Sequence, residues 1–314
     1  MNKNAPGAPA TMLSSLKLWR DRRGRLSALR IATLCLLVLP IGLAFTAPYT
    51  SEEFSARPVN DLIHRAGYWA LMFVIIALSI TPLRRIARWP ALVDVRRMIG
   101  VGAFCYAATH ISLFIVDKMF DLGEVATEIA LRLYLTIGFV ALVGLTTLAA
   151  TSTDGMVRRL GGRRWQRLHQ LIYVIVLLAL IHFFQQTKAD VWVPTFVASL
   201  VAWLLGYRLI VWRRKTNDEP SPWVLLGLTV AVCVLTFVCE AVGIAIVFNT
   251  SPWMVLQMAF DFEFDPFDVR PGWLVLAAGL LVVAVDVVRG RLRRPKPRSA
   301  APAAVPVKPM RETV

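Results

Sequence analysis

Long apolar runs broken by short charged segments dominate the chain. Eight runs approach or exceed the roughly 20 apolar residues that a membrane-crossing helix needs. They are Ile31–Thr50, Ala66–Leu83, Met98–Val116, Leu133–Ala150, Leu168–Thr187, Val191–Trp212, Pro222–Phe248 and Gly272–Val288. The pattern predicts an all-α integral membrane protein, a polytopic bundle of about eight transmembrane helices. The first run follows a basic segment, as a signal peptide's would. It is longer than a usual signal core, and Pro48 after Ala47 is a poor cleavage context, so it is expected to remain as a span.

Charge adds the orientation. Of 35 Lys and Arg residues, 28 fall in one alternating set of segments: up to Arg30, 84–97, 158–167, 213–215 and 289–314. Six lie in the other set, whose loops are acidic. The positive-inside rule then places both termini in the cytoplasm. The same distribution explains the net charge of +15 without nucleic acid, since the basic clusters flank spans. A mean hydropathy of +0.59 excludes a water-soluble enzyme, and no phosphate-binding glycine motif is present. The four cysteines lie within apolar runs and are expected to be small core residues. Residues 1–12 and 295–309 are rich in Pro and Ala and are expected to lack structure.

Four histidines are present, and an ionisable residue inside a span is a functional hypothesis by default. His110 stands seven residues before Asp117, about 10 Å from the acidic end of its span. His182 stands six residues before Lys188, about 9 Å from the same side. Two imidazoles at matched depth on different helices are what a haem clamped between helices requires. His169 is near the basic end, about 20 Å from His182 if one straight helix carries both. No second histidine is available on its side, so a haem there needs a single axial ligand or a non-histidine partner. His64, beside Arg65, is expected at most to support a ligand. Arg132, Lys188, Arg164 and Arg167 stand where haem propionates would emerge, or where positive-inside residues belong. Glu240 lies inside the seventh run, either as a satisfied structural carboxyl or as a proton- or quinone-site group.

Several stretches resemble the MsrQ (YedZ) family. They are Arg96 to Gly100 with Phe104-Cys105-Tyr106-Ala107 and Thr109-His110, then Thr147 to Ser152, then Leu160-Gly161 and Trp165 to Tyr173, closed by Ile181-His182. Thr81-Pro82-Leu83 and Pro58-Val59 to Gly67 look similar too. The resemblance covers roughly 30–212. It implies a ferric-reductase-like, haem b-binding protein of the bacterial inner membrane, with one or two haems and FMN as a further cofactor. His110, His169 and His182 would be the haem-iron ligands. Electrons would come from the quinone pool or a cytoplasmic flavin reductase. They would go to a periplasmic molybdopterin enzyme that repairs methionine sulfoxide, so that this chain is an electron-transfer subunit rather than a catalytic one. Alternatives are a ferric reductase or oxidase served by a separate flavin protein, and a cofactor-free transporter or structural subunit.

The resulting division is a basic cytoplasmic segment (1–29), a six-helix haem-binding domain (30–215), a two-helix membrane extension (216–290) and a basic disordered cytoplasmic tail (291–314). The extension departs from the compact six-span members of the family.

Overall fold

The structure is a computed structural model that describes residues 26–50, 57–187, 191–214, 219–260 and 269–292. Twelve α-helices occur among them. Seven helical segments are long and apolar enough, by length and composition, to cross a membrane. The first expected span forms α1 (Ala28–Thr50), whose apolar part is described from Ala28 to Leu43. The remaining long helices are α2 (Pro58–Ile86), α3 (Val93–Asp117), α5 (Leu133–Ala150), α8 (Ile172–Thr187), α9 (Trp192–Arg214), α10 (Pro222–Phe248) and α12 (Pro271–Leu292).

Four short helices occupy stretches that hydropathy left as loops: α4 (Leu122–Leu131), α6 (Asp154–Leu160), α7 (Gly162–His169) and α11 (Pro252–Met258). Three of them carry ordinary start signals. Asp121 caps α4 by accepting from the Glu124 amide, and Thr153 caps α6 by accepting from the Met156 amide. Pro252 opens α11, where a missing amide hydrogen costs nothing.

Leu168–Thr187 lies within one candidate span, Gly162–Thr187, as expected, but the helix is interrupted inside it. α7 ends at His169, and Gln170 and Leu171 form a turn held by i to i+3 bonds before α8 begins. The cause is a change of environment along the chain. α7 carries Arg163, Arg164 and Arg167, all at a water-facing end, whereas α8 is almost wholly apolar. His169 and His182 therefore stand on separate helices.

α2 packs along α3 and α5 along α8, and these two pairs face each other. α9 lies against α2 and α8 and carries α10 and α12 on its other side. The core runs through this junction: Phe73, Val176, Val197 and Leu225 are wholly buried. Polar groups at the α9–α10 contact satisfy one another. The Trp203 indole donates to Thr229 Oγ1 (3.0 Å) and Thr236 donates to Ser199 Oγ (2.8 Å). Such bonds hold helices together where the lipid supplies no hydrophobic drive.

Three of the four cysteines depart from the expected core role. Cys35, Cys105 and Cys239 are exposed on the bundle surface, and only Cys233 is buried. Inside a bilayer that surface meets lipid, so an apolar run does not distinguish core from lipid face.

Arg208, near the basic end of α9, is satisfied without a carboxylate. Its guanidinium donates to the Leu204 and Leu78 carbonyls and lies 5.6 Å from the Tyr173 ring centre.

Candidate functional site

His110 and His182 meet between the two helix pairs. Their ring centroids are 6.2 Å apart and their planes cross at 80°. The Nδ1 of each is 2.7 Å from a backbone carbonyl on the neighbouring helix: Ile63 of α2 for His110, Tyr134 of α5 for His182. A carbonyl can only accept, so Nδ1 carries the hydrogen in both rings. Each Nε2 is therefore the nitrogen with a free lone pair. This is the tautomer in which an imidazole binds a metal, with the other nitrogen oriented by a hydrogen bond.

The pair borders a cavity of about 700 Å³, within the size range of cofactor sites. Deep in it the walls are apolar, with Val74, Leu145 and Val176. The rim is charged, with Arg57, Lys118, Glu128 and Arg132. Haem has the matching character: an apolar macrocycle with two carboxylates at one edge. The spacing of the histidines fits as well. Two metal–nitrogen bonds of about 2.0–2.1 Å, extended to the ring centres, put the centroids about 6.3 Å apart, close to the 6.2 Å observed. Crossed planes allow both rings to share one axis through a metal. No group of three or more His, Cys, Asp or Glu side chains suited to a bare metal ion occurs among the described residues. A haem iron needs none, because its equatorial ligands come with the cofactor.

The rim is a salt-linked network. Arg132 grips Glu128 with Nε at 2.6 Å and a second guanidinium nitrogen at 3.0 Å. Lys118 donates to Glu124 (2.5 Å) and lies 3.7 Å from Glu128. The hydrogen bond it donates to Glu124, aided by the charge of both carboxylates, pushes the Lys118 ammonium above its ordinary pKa. Arg132 thus stands at the cavity mouth, as expected of a propionate partner, but is shared with Glu128. Lys188 lies outside the described residues. Arg164 and Arg167 are exposed at the opposite end of the bundle and do not border this cavity.

His64 also borders the cavity, near its mouth. Its Nδ1 donates to the Asn60 carbonyl (2.8 Å), and its Nε2 accepts from the Gln186 amide (2.9 Å). Both nitrogens are engaged, which suits a supporting residue that links α2 to α8.

His169 stands apart from the pair and does not border the cavity. Its ring stacks on Trp165 at 3.8 Å. Nδ1 lies 3.1 Å from the Trp165 carbonyl and Nε2 lies 3.3 Å from the Ser152 hydroxyl. The nitrogen that would bind iron thus faces a hydroxyl rather than a second imidazole. Nearby, Arg97 forms an ion pair with Asp154 and ties α3 to α6.

Glu240 is 4% exposed and lies 3.6 Å from the Arg270 guanidinium. It belongs to the contact between α10 and the chain entering α12, away from the cavity.

Sequence reasoning named Gly67 only as the end of a resembling stretch, without a role, and missed Gly138, Gln186 and the two accepting carbonyls. A glycine within an apolar run carries no signal of its own, and a carbonyl belongs to every residue type.

Comparison with known proteins supplies the family. Residues 31–180 match the model for the ferric reductase like transmembrane component. The protein-methionine-sulfoxide reductase heme-binding subunit MsrQ of Rhodospirillum rubrum is 38% identical over 205 residues, 64% of this chain and 96% of that protein. The subunit of the same name from Polaromonas naphthalenivorans is 42% identical over 193 residues (59% and 87%). That from Xanthomonas campestris pv. campestris is 44% identical over 165 residues (52% and 74%). No solved structure matches the chain significantly. With its set of apolar helices, this chain is a multi-pass protein of the bacterial inner membrane, and it belongs to the MsrQ family.

Proposed function

We propose that the chain is a haem b electron-transfer subunit, with His110 and His182 as the two axial ligands of a haem in the 700 Å³ cavity. The observation that carries this reading is the pair itself: two Nδ1-protonated imidazoles whose centroids stand 6.2 Å apart. Haem supplies reversible one-electron chemistry; the chain supplies ligation, burial and a charged rim, which together set the potential. The apolar wall would keep bulk water from a haem held there, and the carbonyl bonds hold both rings neutral with Nε2 free to ligate.

The partner is a periplasmic molybdopterin methionine sulfoxide reductase, and the donor is the quinone pool or a cytoplasmic flavin reductase, with FMN as a further cofactor. Support for these comes from family resemblance; the names of the relatives add only the link to a methionine sulfoxide reductase. For His169 as ligand of a second haem the support is again the resemblance. Its surroundings do not repeat those of the His110–His182 pair. The division into a six-helix haem domain and a two-helix extension is likewise proposed. It accords with a cavity bounded by α2, α3, α5, α8 and the α3–α5 connection. Both termini are proposed to be cytoplasmic, on the charge distribution alone.

A dithionite-reduced minus oxidised visible spectrum with pyridine haemochrome quantification tests the reading. Wild-type protein is expected to show haem b, and His110→Ala and His182→Ala to lose or shift its bands. Well-folded wild-type protein purified without haem, and unable to take it up, would overturn it.

A further inference from the structure

The two histidines are seated by the same backbone device, repeated in the two helix pairs. His110 donates to the carbonyl of Ile63, and residue 67, four positions on, is glycine. His182 donates to the carbonyl of Tyr134, and residue 138, four positions on, is also glycine. In an α-helix the carbonyl of residue i already accepts from the amide of residue i+4. Cα–Cβ bonds tilt toward the helix N-terminus, so a side chain at i+4 leans over that carbonyl. Without a Cβ, its second lone pair is open to a donor from another helix.

The space around both positions shows what a side chain would meet. A Cβ at position 67 would lie 3.0 Å from His110 Nδ1 and 3.1 Å from its Cε1. A Cβ at position 138 would lie 2.8 Å from His182 Nδ1 and 2.9 Å from its Cε1. In each case the nearest atom is the nitrogen that makes the carbonyl bond. The imidazole cannot yield toward the helix, so it would have to move into the cavity and give up that bond. Gly100, on α3, meets nothing within 4 Å and shows that a glycine in these helices is not by itself a contact.

We infer that Gly67 and Gly138 are positioning residues for the His110–His182 pair: each opens an intrahelical carbonyl to an imidazole of the facing helix and so fixes both the tautomer and the depth of the ligand nitrogen. The inference rests on the ligand role proposed above, but its first test does not need haem. Ring nitrogens of ¹⁵N-histidine-labelled, haem-free full-length protein in detergent are observed by NMR. The expected result is that His110 and His182, assigned through their alanine variants, both hold the hydrogen on Nδ1. Either ring predominantly protonated on Nε2 would overturn the inference, whatever the haem content.

The second test uses Gly67→Ala, Gly138→Ala and, as control, Gly100→Ala. Alanine ordinarily favours a helix over glycine, so a loss at 67 or 138 cannot come from helix propensity. Haem retention is expected to weaken about 10–100-fold in each of the first two, the usual cost of removing a ligand's supporting bond. The ferric electron paramagnetic resonance signal and midpoint potential of their residual haem should shift, while Gly100→Ala matches wild type. If haem is present and lost in the histidine variants, yet Gly67→Ala and Gly138→Ala keep the wild-type signal and potential, the positioning role is wrong and the ligand role stands. Helicity by circular dichroism separates either outcome from misfolding. A variant that does not fold leaves the tautomer measurement on wild type to decide.

Discussion

His110 and His182 stand with ring centroids 6.2 Å apart and planes crossed at 80°, each fixed by a 2.7 Å bond from Nδ1 to a carbonyl of a different helix. The two accepting helices, α2 and α5, each form one pair with the helix bearing a histidine. The geometry therefore depends on the docking of two hairpin-like pairs and not on any single loop.

His169→Ala is expected to leave the signal of the haem proposed at His110 and His182 unchanged, since His169 borders neither the cavity nor the pair. Pyridine haemochrome quantification gives the second half of the answer. A fall of about half in haem per protein would place another haem at His169. An unchanged ratio would restrict that residue to its Trp165 and Ser152 contacts.

The matched depth of His110 and His182 was legible in the sequence because spans end at charges and helices rise uniformly. Their mutual approach was not, because nothing local says that α3 faces α8. The α7–α8 turn was missed for a related reason: Leu168 to Thr187 is uninterrupted by proline or glycine, and hydropathy does not see the break in the helix at Gln170–Leu171. The length of α2 was underestimated because its first turns, from Pro58 to Arg65, are polar. Pro58 at the first position and Asp61 in the first turn are its start signals, and both favour a helix N-terminus.

The two readings of Glu240 separate on Arg270. Removing the cation 3.6 Å from a nearly buried carboxyl is destabilising, and Arg270→Met is expected to cost about 1–3 kcal/mol, less than a fully buried pair because Arg270 is partly exposed. The unfolding midpoint in detergent should fall while the haem spectrum stays as in wild type. An unchanged midpoint with altered electron transfer would favour the proton- or quinone-site role instead.

The rim carries a pH signature of definite sign. Lys118 has its pKa raised in the folded protein, chiefly by the hydrogen bond it donates to Glu124. Its contribution is thus fully present below the ordinary lysine value of about 10.4 and is lost as pH rises through the higher folded-state value. The difference in thermal midpoint between wild type and Lys118→Met should persist at pH 8 and shrink above about pH 10.5. A difference independent of pH would assign it to packing of the side-chain stem.

Orientation is open to direct measurement. Alkaline phosphatase fused after residue 292 is expected to be inactive, and a fluorescent protein at the same site to be bright, if the Arg-rich ends of the spans face the cytoplasm as proposed. Active phosphatase there would invert the bundle and put the cavity mouth on the cytoplasmic side.

The most direct test of the central claim is the electron paramagnetic resonance spectrum of the oxidised wild-type protein beside His110→Ala and His182→Ala. Two nearly perpendicular axial imidazoles predict a strongly anisotropic low-spin ferric signal in wild type, replaced by a high-spin signal or lost in either variant. A low-spin signal that survives both substitutions would show that the haem is held elsewhere and would contradict the account.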